Sequence, residues 1–125
     1  MKITTFDPLI LSPKADDVIE VFGALGFEKT HAPVTETETM DITSTRMKDI
    51  NGFHVDVADL NILPQDMIYI RMNVDDFSEA YDILIRHGFK NTRGDGTVET
   101  GYSRSATMVS PSGFTIVLVE HIKKD

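Results

Sequence analysis

The chain has 125 residues, 41% of them hydrophobic, enough for one respectable core and no more. Twelve basic residues against twenty acidic ones give a net charge of −8, so phosphate backbones and anionic membranes repel the surface and neither is an expected partner. There is no cysteine, which excludes disulfides, thiolate zinc sites and a cysteine nucleophile.

Met1-Lys2-Ile3-Thr4-Thr5-Phe6-Asp7 lacks the long apolar run of a signal peptide, and no segment approaches membrane-spanning length; a cytoplasmic protein is the expectation. Phe6 to Leu11 reads as a short buried strand. Ser12 offers a hydroxyl N-cap, Pro13 suits the first helical position, and Asp16 and Asp17 favour the positive end of a helix. Ala15, Val18, Ile19, Phe22 and Leu25 then recur at helical spacing. Gly26 stands where a left-handed C-terminal cap belongs, with Phe27 folding back on the last turn and a strand running towards His31. After Pro33, the Thr-rich polar stretch 35–45 suits a solvated hairpin or loop. Strands over 43–48 and 53–58 are joined around Asn51-Gly52, a hairpin turn signal.

Asp59 to Asp66, with Pro64, links this half to a second one. Ile68 to Val74 reads as a strand, Asp75 or Asp76 caps a helix carrying Phe77, Ala80, Tyr81 and Leu84, and Gly88 ends it. A polar loop containing Gly94-Asp95-Gly96 precedes a last hairpin that turns at Pro111-Ser112-Gly113. The two halves match in sequence as well as in order. Gly52-Phe53-His54-Val55-Asp56-Val57 returns as Gly113-Phe114-Thr115-Ile116-Val117-Leu118 at a spacing of 61, and Leu25-Gly26-Phe27 returns as His87-Gly88-Phe89 at 62. Two colinear matches at almost one offset mean two copies of one β-α-β-β-β unit. The fold class is therefore α+β, with a module at about 1–60 and another at about 66–125 sharing the core of a single domain.

A duplicated βαβββ unit whose helix ends Leu-Gly-Phe resembles the vicinal oxygen chelate superfamily, which includes glyoxalase I, extradiol dioxygenases, methylmalonyl-CoA epimerase, and fosfomycin- and bleomycin-resistance proteins. Its closing hairpin, D-P-D-G-N-x-x-E-L, is followed loosely by Asp49-Ile50-Asn51-Gly52-Phe53-His54-Val55-Asp56-Val57 and by Ser110-Pro111-Ser112-Gly113-Phe114-Thr115-Ile116-Val117-Leu118. The resemblance covers nearly the whole chain and implies strands rolled into a concave half-barrel with helices outside. It also implies four metal-ligand positions, a His or Gln on the first strand of each module and a Glu in each closing hairpin. Carried over, these are Asp7, Asp56, Tyr69 and Val117. Two carboxylates, a phenol and an isopropyl group do not make the imidazole-carboxylate set that holds such an ion, so no metal and no cofactor is expected. A shifted site using His54, Asp56 and Asp7 is the remaining way to hold one.

Strand alternation sets Phe53, Val55 and Val57 under a helix, with His54, Asp56 and Ala58 opposite. It likewise divides Ile70, Met72 and Val74 from Tyr69, Arg71 and Asn73, and sends Thr115, Val117 and Val119 to the polar side. The ligand-binding candidates are Asp7, His54, Asp56, Tyr69, Arg71 and Val117. Arg71 reads equally as a ligand clamp or as the ion-pair partner of Asp56, while the directions of Arg46, Tyr102 and Arg104 stay open. Met47, Met72 and Met108 read as core filling. The functional expectation is a metal-free, bleomycin-resistance-like homodimer binding a small amphipathic or cationic molecule in a concave cleft. The alternative is a glyoxalase-type lyase, isomerase or dioxygenase with a displaced metal site, or an acid–base enzyme using Asp56 or His54 with Tyr69. Whether the modules pair within one chain or across a dimer is left open.

Overall fold

Strand Ile3–Ser12 (β1) runs past both expected ends before the chain turns into helix Ala15–Ala24 (α1). The computed structural model describes residues 1–30, 34–35, 43–94, 96–99 and 103–121; His31, Pro33, Asp95 and Tyr102 lie outside them. The remaining described elements are β2 (Glu28–Lys29), β3 (Val34–Thr35), β4 (Thr43–Lys48), β5 (His54–Asp59), β6 (Met67–Val74), α2 (Phe77–Arg86), β7 (Lys90–Asn91), β8 (Val98–Glu99), β9 (Ser103–Val109) and β10 (Thr115–His121). The class is α+β and the βαβββ order appears twice, with the second strand of each module split into two short pieces.

The chain divides into two units, Asp7–Ile68 and Met1–Phe6 with Tyr69–Asp125. In the first, β5 pairs in parallel with β1 and antiparallel with β4, which carries β2 and β3 on its other edge. In the second, β10 pairs in parallel with β6 and antiparallel with β9, which carries β7 and β8. Each unit packs its helix on one face of its strands. Ala15, Met47, Val55 and Val57 form the first core, against Ile10, Val18, Ile19, Phe22 and Phe27. Met72, Val74, Phe77, Ala80, Ala106, Met108, Ile116 and Leu118 form the second. The three methionines fill core space, as expected.

The helix ends follow the caps read from sequence, with one exception. Gly26 has φ +106 and Phe27 N donates to Phe22 O at 2.9 Å, bringing the two rings together edge to face with centroids 5.4 Å apart. Gly88 has φ +89 and Phe89 N donates to Leu84 O at 3.0 Å. Asp76 caps α2 by accepting from Glu79 N at 3.1 Å, while Asp75 accepts instead from Lys2 N at 2.6 Å. Ser12 is the exception. Its hydroxyl accepts from Lys14 N at 2.9 Å and donates to Asp66 Oδ1 at 2.6 Å. That fastens the end of β1 to the linker, and α1 begins later, at an N-cap, Lys14, that makes no side-chain cap bond.

The two closing turns are built alike. Asp49 Oδ1 accepts from Asn51 N and Phe53 N at 3.0 and 2.8 Å, and Asp49 N donates to Phe53 O at 3.0 Å. Ser110 Oγ accepts from Gly113 N and Phe114 N at 2.9 and 3.0 Å, and Ser110 N donates to Phe114 O at 2.8 Å. Phe53 does not lie under a helix: it belongs to the turn, one residue before β5 begins, and is 67% exposed.

Candidate functional site

Strand pairing sorts the helix-opposite face of each unit into cross-strand rows, because paired residues point the same way. In the unit Asp7–Ile68, Leu9 pairs with Asp56, which pairs with Arg46. One pleat along, His54 pairs with Lys48, and one pleat the other way Ala58 lies between Leu11 and Ser44. Asp7 lies two residues before Leu9 on β1 and so shares its face. Asp7, His54 and Asp56 thus stand on one face, with Asp7 and Asp56 buried and His54 half-buried.

The Asp56 carboxylate is 1% exposed and is met by Arg46, Nε to Oδ1 at 3.1 Å and Nη2 to Oδ2 at 3.5 Å. The Arg46 side chain keeps 27% of its surface open. The sequence leaves the direction of Arg46 open and offers Arg71 as the partner of Asp56; in the structure Asp56 forms an ion pair with Arg46. A two-residue turn at Asn51-Gly52 sets Met47 opposite Asp56; the wider turn from Asp49 to Phe53 shifts the register by one and sets Arg46 there. Asp49, placed to hold two backbone N–H groups of the turn, was the signal that could have found it.

In the other unit, Arg71 pairs with Val117, which pairs with Thr107. Asn73, Val119 and Ser105 form the next row. Arg71 is 5% exposed, and its Nε donates to Asn73 Oδ1 at 3.4 Å. Tyr69 is half-buried on the same strand, Thr115 is buried, and Val117 is half-buried. Arg104 belongs to the opposite, helix-facing side. Its guanidinium carbon lies 4.8 Å from the centre of the Phe77 ring, Nη1 reaches Ser78 Oγ at 3.4 Å, and Nε lies 3.2 Å from Glu99 Oε1. A hollow of about 410 Å³ in the first unit is lined by Gly26, Glu28, Lys29, Thr30, Lys48, Asp49 and Ile50; none of the six candidate residues lines it.

Neither a family model nor a curated protein matches the sequence. Solved structures do. Methylmalonyl-CoA epimerase from Mycobacterium tuberculosis superposes with a TM-score of 0.69 at 16% identity, over 97% of this chain and 90% of that one. A glyoxalase/bleomycin resistance protein/dioxygenase superfamily member from Vibrio splendidus 12B01 gives a TM-score of 0.57 at 12% identity, over 97% and 100%. A mutant glyoxalase I from Zea mays gives 0.66 at 12% identity, over 98% of this chain and 44% of that one. The chain has the vicinal oxygen chelate fold.

The metal-ligand positions carried over from the sequence resemblance are Asp7 and Asp56 in one unit and Tyr69 and Val117 in the other. They do not fit a divalent ion. Val117 has no donor atom, a neutral phenol is a poor ligand, and the Asp56 carboxylate is engaged by a guanidinium. Among the described residues, no three His, Asp or Glu side chains come together as a metal-holding group, the shifted set of Asp7, His54 and Asp56 included.

Proposed function

We propose that this protein is a glyoxalase/bleomycin-resistance-like small-molecule binder that works without a metal ion, taking its ligand on the helix-opposite face of its strands. One observation carries the reading: that face holds buried charged and polar side chains in both units, Asp7 and Asp56 in one, Arg71, Asn73 and Thr115 in the other. Enclosing such groups is costly, and helix-opposite packing by itself asks only for apolar residues. Polar groups that break the packing rule on one face of both copies are the mark of a functional surface. The reading includes a homodimer, as the resemblance implies, and a cytoplasmic location.

The test is a fragment screen followed by methyl and amide NMR. Fragments are expected to shift Thr115, Val117 and the neighbours of His54, and to leave α1 and α2 in place. Shifts confined to the helices, or no binder in a broad library, would sink the reading. Light scattering at several concentrations checks the dimer separately.

A further inference from the structure

The closing turn of the first unit carries an amide carbon and a backbone nitrogen on adjacent residues, Asn51 and Gly52, both exposed. We infer that this turn is a site of spontaneous covalent modification, deamidation with isomerisation at Asn51, and that its counterpart in the second unit is not. Gly52 N attacks the Asn51 side-chain carbon Cγ, the Cγ–N bond of the amide breaks, and ammonia leaves with the proton of the Gly52 amide. Water then opens the five-membered imide at either carbonyl, giving aspartate or isoaspartate.

Gly52 has no side chain to crowd its nitrogen, and a Cβ built there would meet nothing within 4 Å. Gly52 N donates to Asp49 O at 3.1 Å, a bond in an exposed turn, where local opening costs little. The other asparagines lack one requirement or another. Asn61 is also exposed but precedes Ile62, whose β-branched side chain crowds the attacking nitrogen. Asn73 is 4% exposed and precedes Val74. Asn91 is 8% exposed, and its Nδ2 donates to Gly96 O at 2.8 Å. In the second closing turn Ser112 stands where Asn51 does, and a serine has no carbonyl carbon to be attacked.

The product alters the turn. Isoaspartate routes the main chain through the side-chain carbons and inserts a carbon between Asn51 N and Phe53 N, the two donors that Asp49 Oδ1 holds at 3.0 and 2.8 Å. Either product also sets a new negative charge close to Asp49. Those two bonds shape the turn that places Arg46 across from Asp56, so modification loosens the hairpin of β4 and β5 from its closed end.

The experiment incubates the full chain, folded, in neutral buffer and follows its peptides by mass spectrometry, with fragmentation that separates aspartate from isoaspartate. The peptide holding Asn51 is expected to gain about 1 Da, with isoaspartate among its products, while those holding Asn61, Asn73 and Asn91 keep their mass. Asp95-Gly96 does not confuse the reading, because isomerisation of an aspartate leaves mass unchanged. Asn51→Ser, which copies the second turn, should lose the gain. Beside that variant incubated in parallel, the aged protein should exchange the amides of Thr43–Lys48 and His54–Asp59 faster. An Asn51 that persists in the folded protein and reacts only after unfolding in urea would overturn the inference, because the bond from Gly52 N to Asp49 O would then lock the turn. Equal rates at Asn51 and Asn61 would overturn it too. Deamidation with unchanged amide exchange would refute the loosening of the hairpin.

Discussion

Leu9, Asp56 and Arg46 stand side by side in one half of the chain where Arg71, Val117 and Thr107 stand in the other. Both rows cross the same three kinds of strand, yet the cation has moved from the hairpin strand to the first strand and the acid has become valine. The helix-facing positions behave differently. Met47 and Met108, Val55 and Ile116, and Val57 and Leu118 are equivalent, and all are apolar and buried. Packing under a helix tolerates little change. The opposite face has diverged residue by residue, and a charge enclosed there must be matched locally, as Asp56 is by Arg46.

The sharpest way to break that comparison is to remove one member of the pair at a time. Arg46→Met leaves a carboxylate enclosed with its guanidinium gone, and the cost should be about 3 kcal/mol, the low end for an opened buried pair. Asp56→Val leaves a guanidinium with 27% of its side chain in solvent, so the cost should be smaller, about 1 kcal/mol. The double variant should come back close to the parent, making its first half resemble the Thr107–Val117 row of the second. Urea unfolding midpoints read all three. If Asp56→Val proves costlier than Arg46→Met, the carboxylate holds more of the structure than its tie to Arg46.

A second contrast concerns the helix C-termini. Gly26 and Gly88 both have positive φ, +106 and +89, but an added Cβ meets nothing within 4 Å at Gly26 and comes 2.8 Å from Pro111 Cγ at Gly88. Gly26→Ala should cost about 1 kcal/mol from backbone strain alone. Gly88→Ala should cost about 2 kcal/mol, because the closing turn must also move. Equal losses in thermal unfolding would mean that the turn carrying Pro111 yields freely.

Much of this was legible because a duplicated sequence tests itself. The glycine caps and both closing turns follow from motifs that recur at almost one offset, and the Asp76 cap and the apolar face of β6 follow from local cap and alternation signals. What stayed hidden depended on register. The alternation of β5 separates Asp56 from Val55 and Val57, but only the hydrogen bonds of Asp49 decide whether Met47 or Arg46 stands across from Asp56. Phe53 was misplaced for the same reason, because a wider turn takes it out of the strand. Ser12 was misread because its long-range partner, Asp66, lies 54 residues away, and no local pattern announces such a bond. The candidate residues fall on two faces that local alternation assigns well; what each of them touches is a matter of pairing between strands.

The smallest contrast lies at the helix N-termini. Asp76 gives α2 a side-chain acceptor for Glu79 N, and Glu120 Oε1 accepts from Phe77 N at 2.7 Å, so two of the helix's orphan donors are met by carboxylates. At α1, Lys14 supplies no cap bond, and the first turn has only Asp16 and Asp17 to favour its positive end. Asp76→Ala should therefore cost about 1 kcal/mol, and Lys14→Ala should change stability by less than about 0.5 kcal/mol. Hydrogen exchange adds the local reading: amides at the start of α2 should lose protection in Asp76→Ala, whereas those of α1 should not respond to Lys14→Ala. A large effect at Lys14 would show that its aliphatic stem holds the turn after Ser12, and the first helix would then be anchored by packing where the second is anchored by hydrogen bonds.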